Sequence, residues 1–86
     1  MKIGLVDLDT SHPENWVPII KDLGHTVAGV FDHGDVNPAG YAEQFAGEHE
    51  AGRVFASLVE MADAVDCVIL HGCDWDQHMV RAQCFV

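Results

Sequence analysis

Four short apolar runs alternate with four helix-forming segments, and this alternation constrains the fold of the chain more than any other feature of it. Ile3 to Leu8 is apolar apart from Gly4 and Asp7. Continuous rather than alternating apolar residues suit a strand covered on both faces, as in a parallel sheet. His25 to Phe31 predicts a second strand, Arg53 to Ala56 a short third, and Cys67 to Leu70 a fourth. A βαβαβ rhythm of this kind builds one parallel sheet through right-handed crossovers.

The intervening segments carry helix signals. After Asp9-Thr10-Ser11-His12-Pro13, Ser11 and Glu14 stand at capping-box spacing. Trp16, Val17, Ile19, Ile20 and Leu23 then supply an apolar side, and Gly24 a terminator. Pro18 costs little only if Asn15 is the cap and Pro18 lies in the first turn, so two starts remain open for this helix. Residues 33–38 read as a loop, and Ala39 to about Glu50 as a helix. Leu58 to Ala64 forms a short helix capped by Ser57, and a last helix begins near Asp76. The expected fold class is α/β, a Rossmann-like three-layer αβα arrangement with a parallel sheet of about four strands in the order 3-2-1-4. Residues 1–86 are then the N-terminal part of such a domain. The last segment keeps helix-like apolar spacing at Met79, Val80, Cys84, Phe85 and Val86, with nothing resembling a C-cap. The fourth strand is expected at an apolar edge, so the sheet is expected to be incomplete, or covered there by a partner.

The length, 86 residues, allows a single small domain with a marginal core. An apolar fraction of 49% argues against disorder. Fourteen acids against four Lys and Arg give a formal net charge of −10, a field that repels phosphate backbones and anionic lipid. Nucleic acid and membrane surfaces are therefore not expected partners. No apolar run approaches the ~20 residues of a membrane span, and the N-terminus lacks the parts of a signal peptide. Cys67, Cys73 and Cys84 cannot all pair within one chain and form no Cys-x-x-Cys, which suits free thiols in a reducing cytoplasm.

With the elements placed in order, the chain resembles the glucose–fructose oxidoreductase / inositol dehydrogenase / MocA family over its whole length. The resemblance rests on Lys2-Ile3-Gly4-Leu5-Val6 and on Val27-Ala28-Gly29-Val30-Phe31-Asp32 at the first two strands. Tyr41-Ala42-Glu43-Gln44-Phe45-Ala46, Val54-Phe55-Ala56-Ser57-Leu58 and Ala64-Val65-Asp66-Cys67-Val68-Ile69-Leu70 complete it. The resemblance implies an NAD(P)-dependent oxidoreductase acting on a sugar, inositol or related polyol, usually oligomeric. It also implies that the catalytic lysine of a Glu-Lys-Pro motif, and the substrate domain, belong to a longer chain. Dinucleotide and substrate are then partners of that longer chain, and residues 1–86 hold no catalytic residue.

The first βα turn departs from the usual pattern. A Gly-x-Gly-x-x-Gly fingerprint lets the backbone turn tightly and approach a pyrophosphate. Asp7, Asp9 and His12 occupy the three glycine positions here. Each carboxylate beside a pyrophosphate is repulsive by about 1–4 kcal/mol. Some family members resemble the chain in carrying Asp9-Thr10-Ser11-His12 at this turn, and Thr10, Ser11 and the helix amides are candidate phosphate donors. The alternative is that Asp9, Thr10 and Ser11 only cap the helix. Asp32 ends the second strand about 20 residues on, where an acid accepts from ribose hydroxyls and disfavours a 2′-phosphate. NAD is therefore expected over NADP.

After the fourth strand, His78 keeps the histidine of the family's Thr-Pro-Asn-x-x-His, while Asp74 and Trp75 replace its proline and asparagine. Cys73, Asp74 and His78 are the candidate cofactor contacts of this loop. His71, Cys73, Asp74, Asp76 and His78 crowd together, but their spacing matches no zinc motif, and no metal is expected. Cys73 lacks an oxyanion-hole motif, which disfavours a Cys–His nucleophile. From a different class comes the opposing expectation, a non-catalytic Rossmann-like binding or assembly module that has lost dinucleotide binding.

Overall fold

A computed structural model describes residues 1–34, 36–72 and 75–85, with 75 and 76 described by their backbone alone. The elements follow the order β1 (Lys2–Val6), α1 (His12–Asp22), β2 (Thr26–Phe31), α2 (Tyr41–His49), β3 (Arg53–Val54), α3 (Leu58–Ala64), β4 (Cys67–Leu70) and α4 (Trp75–Ala82), then a 3-10 turn at Gln83–Phe85. The four strands form one parallel sheet in the order β3-β2-β1-β4, as the alternation of apolar runs predicts. The chain is thus α/β with a Rossmann-like arrangement. Among the described residues, no helix is long and apolar enough to cross a membrane.

The chain steps outward from β1 to β2 to β3, then back across the sheet to β4. Right-handed crossovers in opposite directions put their helices on opposite faces. One core accordingly joins Ile3, Leu5, Val27 and Val30 of the sheet to Val17 and Ile20 of α1 and Phe45 and Ala46 of α2. The other joins Val6, Val68 and Leu70 to Leu58 and Met61 of α3 and to Phe85. The pairing of β1 with β2 slips between Ile3 and Gly4, where Ile3 faces Val27 but Gly4 faces Gly29. This bulge is why Val27 and Val30, three apart in sequence, share one face. Gly4 is required by packing, because a Cβ there would lie 2.6 Å from the Met61 sulfur.

Local structure differs from expectation at α1. The helix begins at His12 with Pro13 in its first turn, and Pro18 lies in its interior. The start at Asn15 is therefore not adopted, and the Glu14 carbonyl loses its i+4 donor at Pro18. Nor does the Ser11–Glu14 box form. Ser11 takes helical rather than extended backbone angles (φ −79°, ψ −6°) and makes no side-chain cap. Instead Thr10 Oγ1 accepts from the His12 N–H at 3.2 Å. The expected cap of α3 does form, with Ser57 extended and its hydroxyl accepting from the Glu60 N–H at 3.1 Å. β3 is shorter than predicted and stops at Val54, although the Phe55 N–H still donates to Val30 O at 2.9 Å.

Candidate functional site

The carboxyl ends of β1, β2 and β4 meet at one edge of the sheet, and the residues there are polar. Asp7, directly after β1, is 1% exposed. Its backbone has φ +66°, the left-handed region that glycine enters freely and Asp enters with some cost. Its own N–H continues the ladder to Phe31 O at 2.6 Å. One carboxylate oxygen, Oδ1, accepts from the His33 N–H at 2.9 Å and from His33 Nδ1 at 2.8 Å. The other, Oδ2, forms an ion pair with Nη1 of Arg81, which α4 delivers to the same point and which is itself 5% exposed. Three segments that are distant in sequence are thus tied together at one carboxylate. Gly72 makes room for the pair, since a Cβ there would lie 2.8 Å from Arg81 Nη1 and 3.0 Å from Asp7 Oδ2.

Asp32 follows β2. It accepts two long contacts, from the Gly34 N–H at 3.4 Å and from Asn37 Nδ2 at 3.3 Å, which leaves most of its acceptor capacity unspent. Asn37 Nδ2 also donates to Leu8 O at 2.7 Å, stitching the loop after β2 to the turn after β1. Asp32 lines a cleft of about 610 Å³ between this loop and the end of β3, whose walls include Phe31, Asn37, Tyr41, Glu43 and Phe55. The cleft opens on carboxylates, an amide and ring faces, a surface suited to hydroxyl groups and a planar ring.

The remaining predicted residues are distributed as follows. Asp9 is half-buried in the turn after β1, while Thr10, Ser11 and His12 are exposed at the start of α1. His78 is turned to its own loop, because its Nε2 lies 2.6 Å from Gly72 O and a carbonyl can only accept. Cys73 and Asp74 lie outside the described residues. Asp7, Asp9 and Asp32 bring ligand oxygens within 4.8 Å of one another, close enough to share a cation. Yet both oxygens of Asp7 are already engaged, so a cation there would have to displace Arg81 or His33.

His71, at the end of β4, is 8% exposed, and neither ring nitrogen has a hydrogen-bond partner among the described residues. Burial lowers its pKa to about 4, helped by the His12 charge and opposed by the Asp7 carboxylate. It is therefore a neutral imidazole near neutral pH.

His33, Asn37 and Arg81 were not signalled by motif, yet they organise this edge. One signal existed for Arg81. It is the only Lys or Arg after Arg53, set in the otherwise apolar Met79-Val80-Arg81-Ala82, and Asp7 at a buried turn requires a counter-charge.

Comparison of the chain with protein-family models, with curated proteins and with solved structures found no match in any of the three.

Proposed function

We propose that this chain is the cofactor-binding N-terminal portion of an NAD(P)-dependent oxidoreductase acting on a sugar, inositol or related polyol, with Asp32 receiving the ribose of NAD. The observation that supports this reading is Asp32 itself, at the carboxyl end of β2, with unspent acceptor capacity on the wall of a cleft large enough for a nucleoside. Its carboxylate would accept from both ribose hydroxyls and repel a 2′-phosphate, which favours NAD over NADP. Hydride chemistry belongs to the nicotinamide when bound, and residues 1–86 contribute binding and orientation. Assembly into a homo-oligomer and a reducing, cytoplasmic setting belong to the same reading.

The test is an amide NMR titration with NADH and NADPH separately. Perturbation of Asp32, Asn37 and Tyr41, stronger with NADH, is the expected result. A well-dispersed spectrum that neither nucleotide disturbs would overturn the reading.

A second reading, a Rossmann-like assembly module without dinucleotide binding, draws on a different observation. Asp7, pinned by Arg81 and His33, fills the position where a glycine would admit a pyrophosphate. An unperturbed spectrum together with self-association on concentration would favour that module.

A further inference from the structure

We propose that His71 and His12 receive the diphosphate of the dinucleotide, and that the buried His71 ring takes up a proton as it does so. The inference rests on the NAD reading of the Asp32 cleft and assigns the phosphate end of that site, where the usual glycines are missing.

The end of β4 brings His71 to the first βα turn. Its N–H donates to Val6 O at 2.8 Å, which carries the β4 ladder one residue past Leu70 and sets His71 beside Asp7. Along β4, Cys67 and Ile69 pack on the core shared with α1 and α2, and Val68 and Leu70 on the core shared with α3. Alternation along the strand therefore turns His71 to the α1 face. There the charge of His12, the first residue of α1, is felt at the His71 ring. That ring is 8% exposed, and neither nitrogen is hydrogen-bonded among the described residues. A neutral imidazole has one donor and one acceptor to satisfy, so its burial in this state calls for a partner. The start of α1 is open to an anion as well, since the Ser11 hydroxyl caps none of its amides. Thr10, Ser11 and His12 are exposed, and the bond from the His12 N–H to Thr10 Oγ1 is local, so this turn can shift to admit a phosphate to the ring.

Positive charge for a diphosphate falls to histidine here, because Arg81 is buried and engaged with Asp7. The titratable and charged groups around His71 are Asp7 and Asp9 from β1 and its turn, His12 from α1, and His78 and Arg81 from α4. Asp7 raises the His71 pKa and His12 lowers it, but burial outweighs both and holds the ring neutral in the free chain. An oxyanion against the ring reverses this balance, since an opposite charge within ~4–6 Å favours the charged form. A group that gains a proton with its ligand makes affinity rise as pH falls.

The experiment titrates the chain with NAD⁺ and, separately, with adenosine at about pH 6 and about pH 7.5, read by amide and histidine-ring NMR. NAD⁺ is expected to bind about threefold more tightly at the lower pH, with the His71 ring nitrogens moving to the imidazolium pattern. Adenosine, which has no phosphate, is expected to bind equally at both. His71→Phe should abolish the pH difference, whereas His12→Gln should weaken NAD⁺ binding and keep the His71 ring shift. NAD⁺ binding that leaves the His71 ring unmoved, or a pH difference that adenosine shares or that survives in His71→Phe, would overturn the assignment and leave the NAD reading standing. If neither ligand binds a folded chain at either pH, both fall.

Discussion

Asp7 and Arg81, 74 residues apart in sequence, form an ion pair in which both side chains are almost wholly removed from solvent. The pair joins the end of β1 to α4, and His33 completes it from the loop after β2. A buried carboxylate is tolerated only when paired and hydrogen-bonded, and Asp7 meets both conditions. It does so in a left-handed backbone conformation, so the acid takes the shape a glycine would take and adds a charged anchor. The turn that in a dinucleotide fold approaches its ligand is here fastened to the protein.

Removing one partner leaves the other charge stranded. Arg81→Met is expected to destabilise the chain by about 3–5 kcal/mol in urea unfolding, because the Asp7 carboxylate keeps its desolvation cost without its counter-charge. Asp7→Asn combined with Arg81→Met is expected to cost less than the sum of the single changes. Additive losses in the double-mutant cycle would show that the pair is not energetically coupled.

Acid should weaken the fold through His71. Its folded pKa of about 4 lies below the ordinary 6.5, so the unfolded chain binds the proton first. Stability contributed by the neutral imidazole is complete above the unfolded pKa, falls as pH drops from 6.5 towards 4, and levels off below that. The full loss is at most about 3–4 kcal/mol, since each tenfold change in proton affinity is worth roughly 1.4 kcal/mol. Chemical denaturation of wild type and His71→Phe across this range checks the assignment, since the variant should lose that part of the slope. Equal slopes would place the acid sensitivity elsewhere.

Two serines separate a cap that works from one that does not. Ser57→Ala is expected to cost about 1 kcal/mol, since the hydroxyl accepts from Glu60 N–H at the start of α3. Ser11→Ala is expected to stay within about 0.5 kcal/mol, because Ser11 makes no such bond. Thermal melts of the two variants decide the matter, and equal losses would mean that Ser11 caps α1 in solution.

These two serines also show what can be read from sequence. Apolar runs flanked by turn residues report burial on both faces, so the strand order and the α/β class were legible from Ile3–Leu8, the second strand and Cys67–Leu70. Cap spacing reports only an opportunity. Ser57 is itself extended and its hydroxyl finds its amide, whereas Ser11 is already helical and Thr10 takes the role. Asp32 at the end of β2 was legible from its distance to the first turn. His33 and Asn37 were not, because each acts across the sheet edge on a residue at least 26 positions away and no local pattern encodes such pairings, and Arg81 left only the hint of a lone cation in an apolar stretch, which does not name Asp7 as its partner.

Asp32 carries the sharpest test of the site. Its two long contacts to Gly34 and Asn37 hold the loop only weakly, so replacing it should leave the fold nearly intact. Asp32→Ala is then expected to reduce NADH affinity by about tenfold or more, the cost of losing hydrogen bonds to a charged acceptor. NADPH should lose less, or gain, because the same carboxylate opposes its 2′-phosphate. Parallel titrations of both nucleotides against wild type and variant read the two effects at once. An unchanged NADH affinity in a chain with unaltered melting would remove Asp32 from the site, and with it the main support for a nucleotide in the cleft.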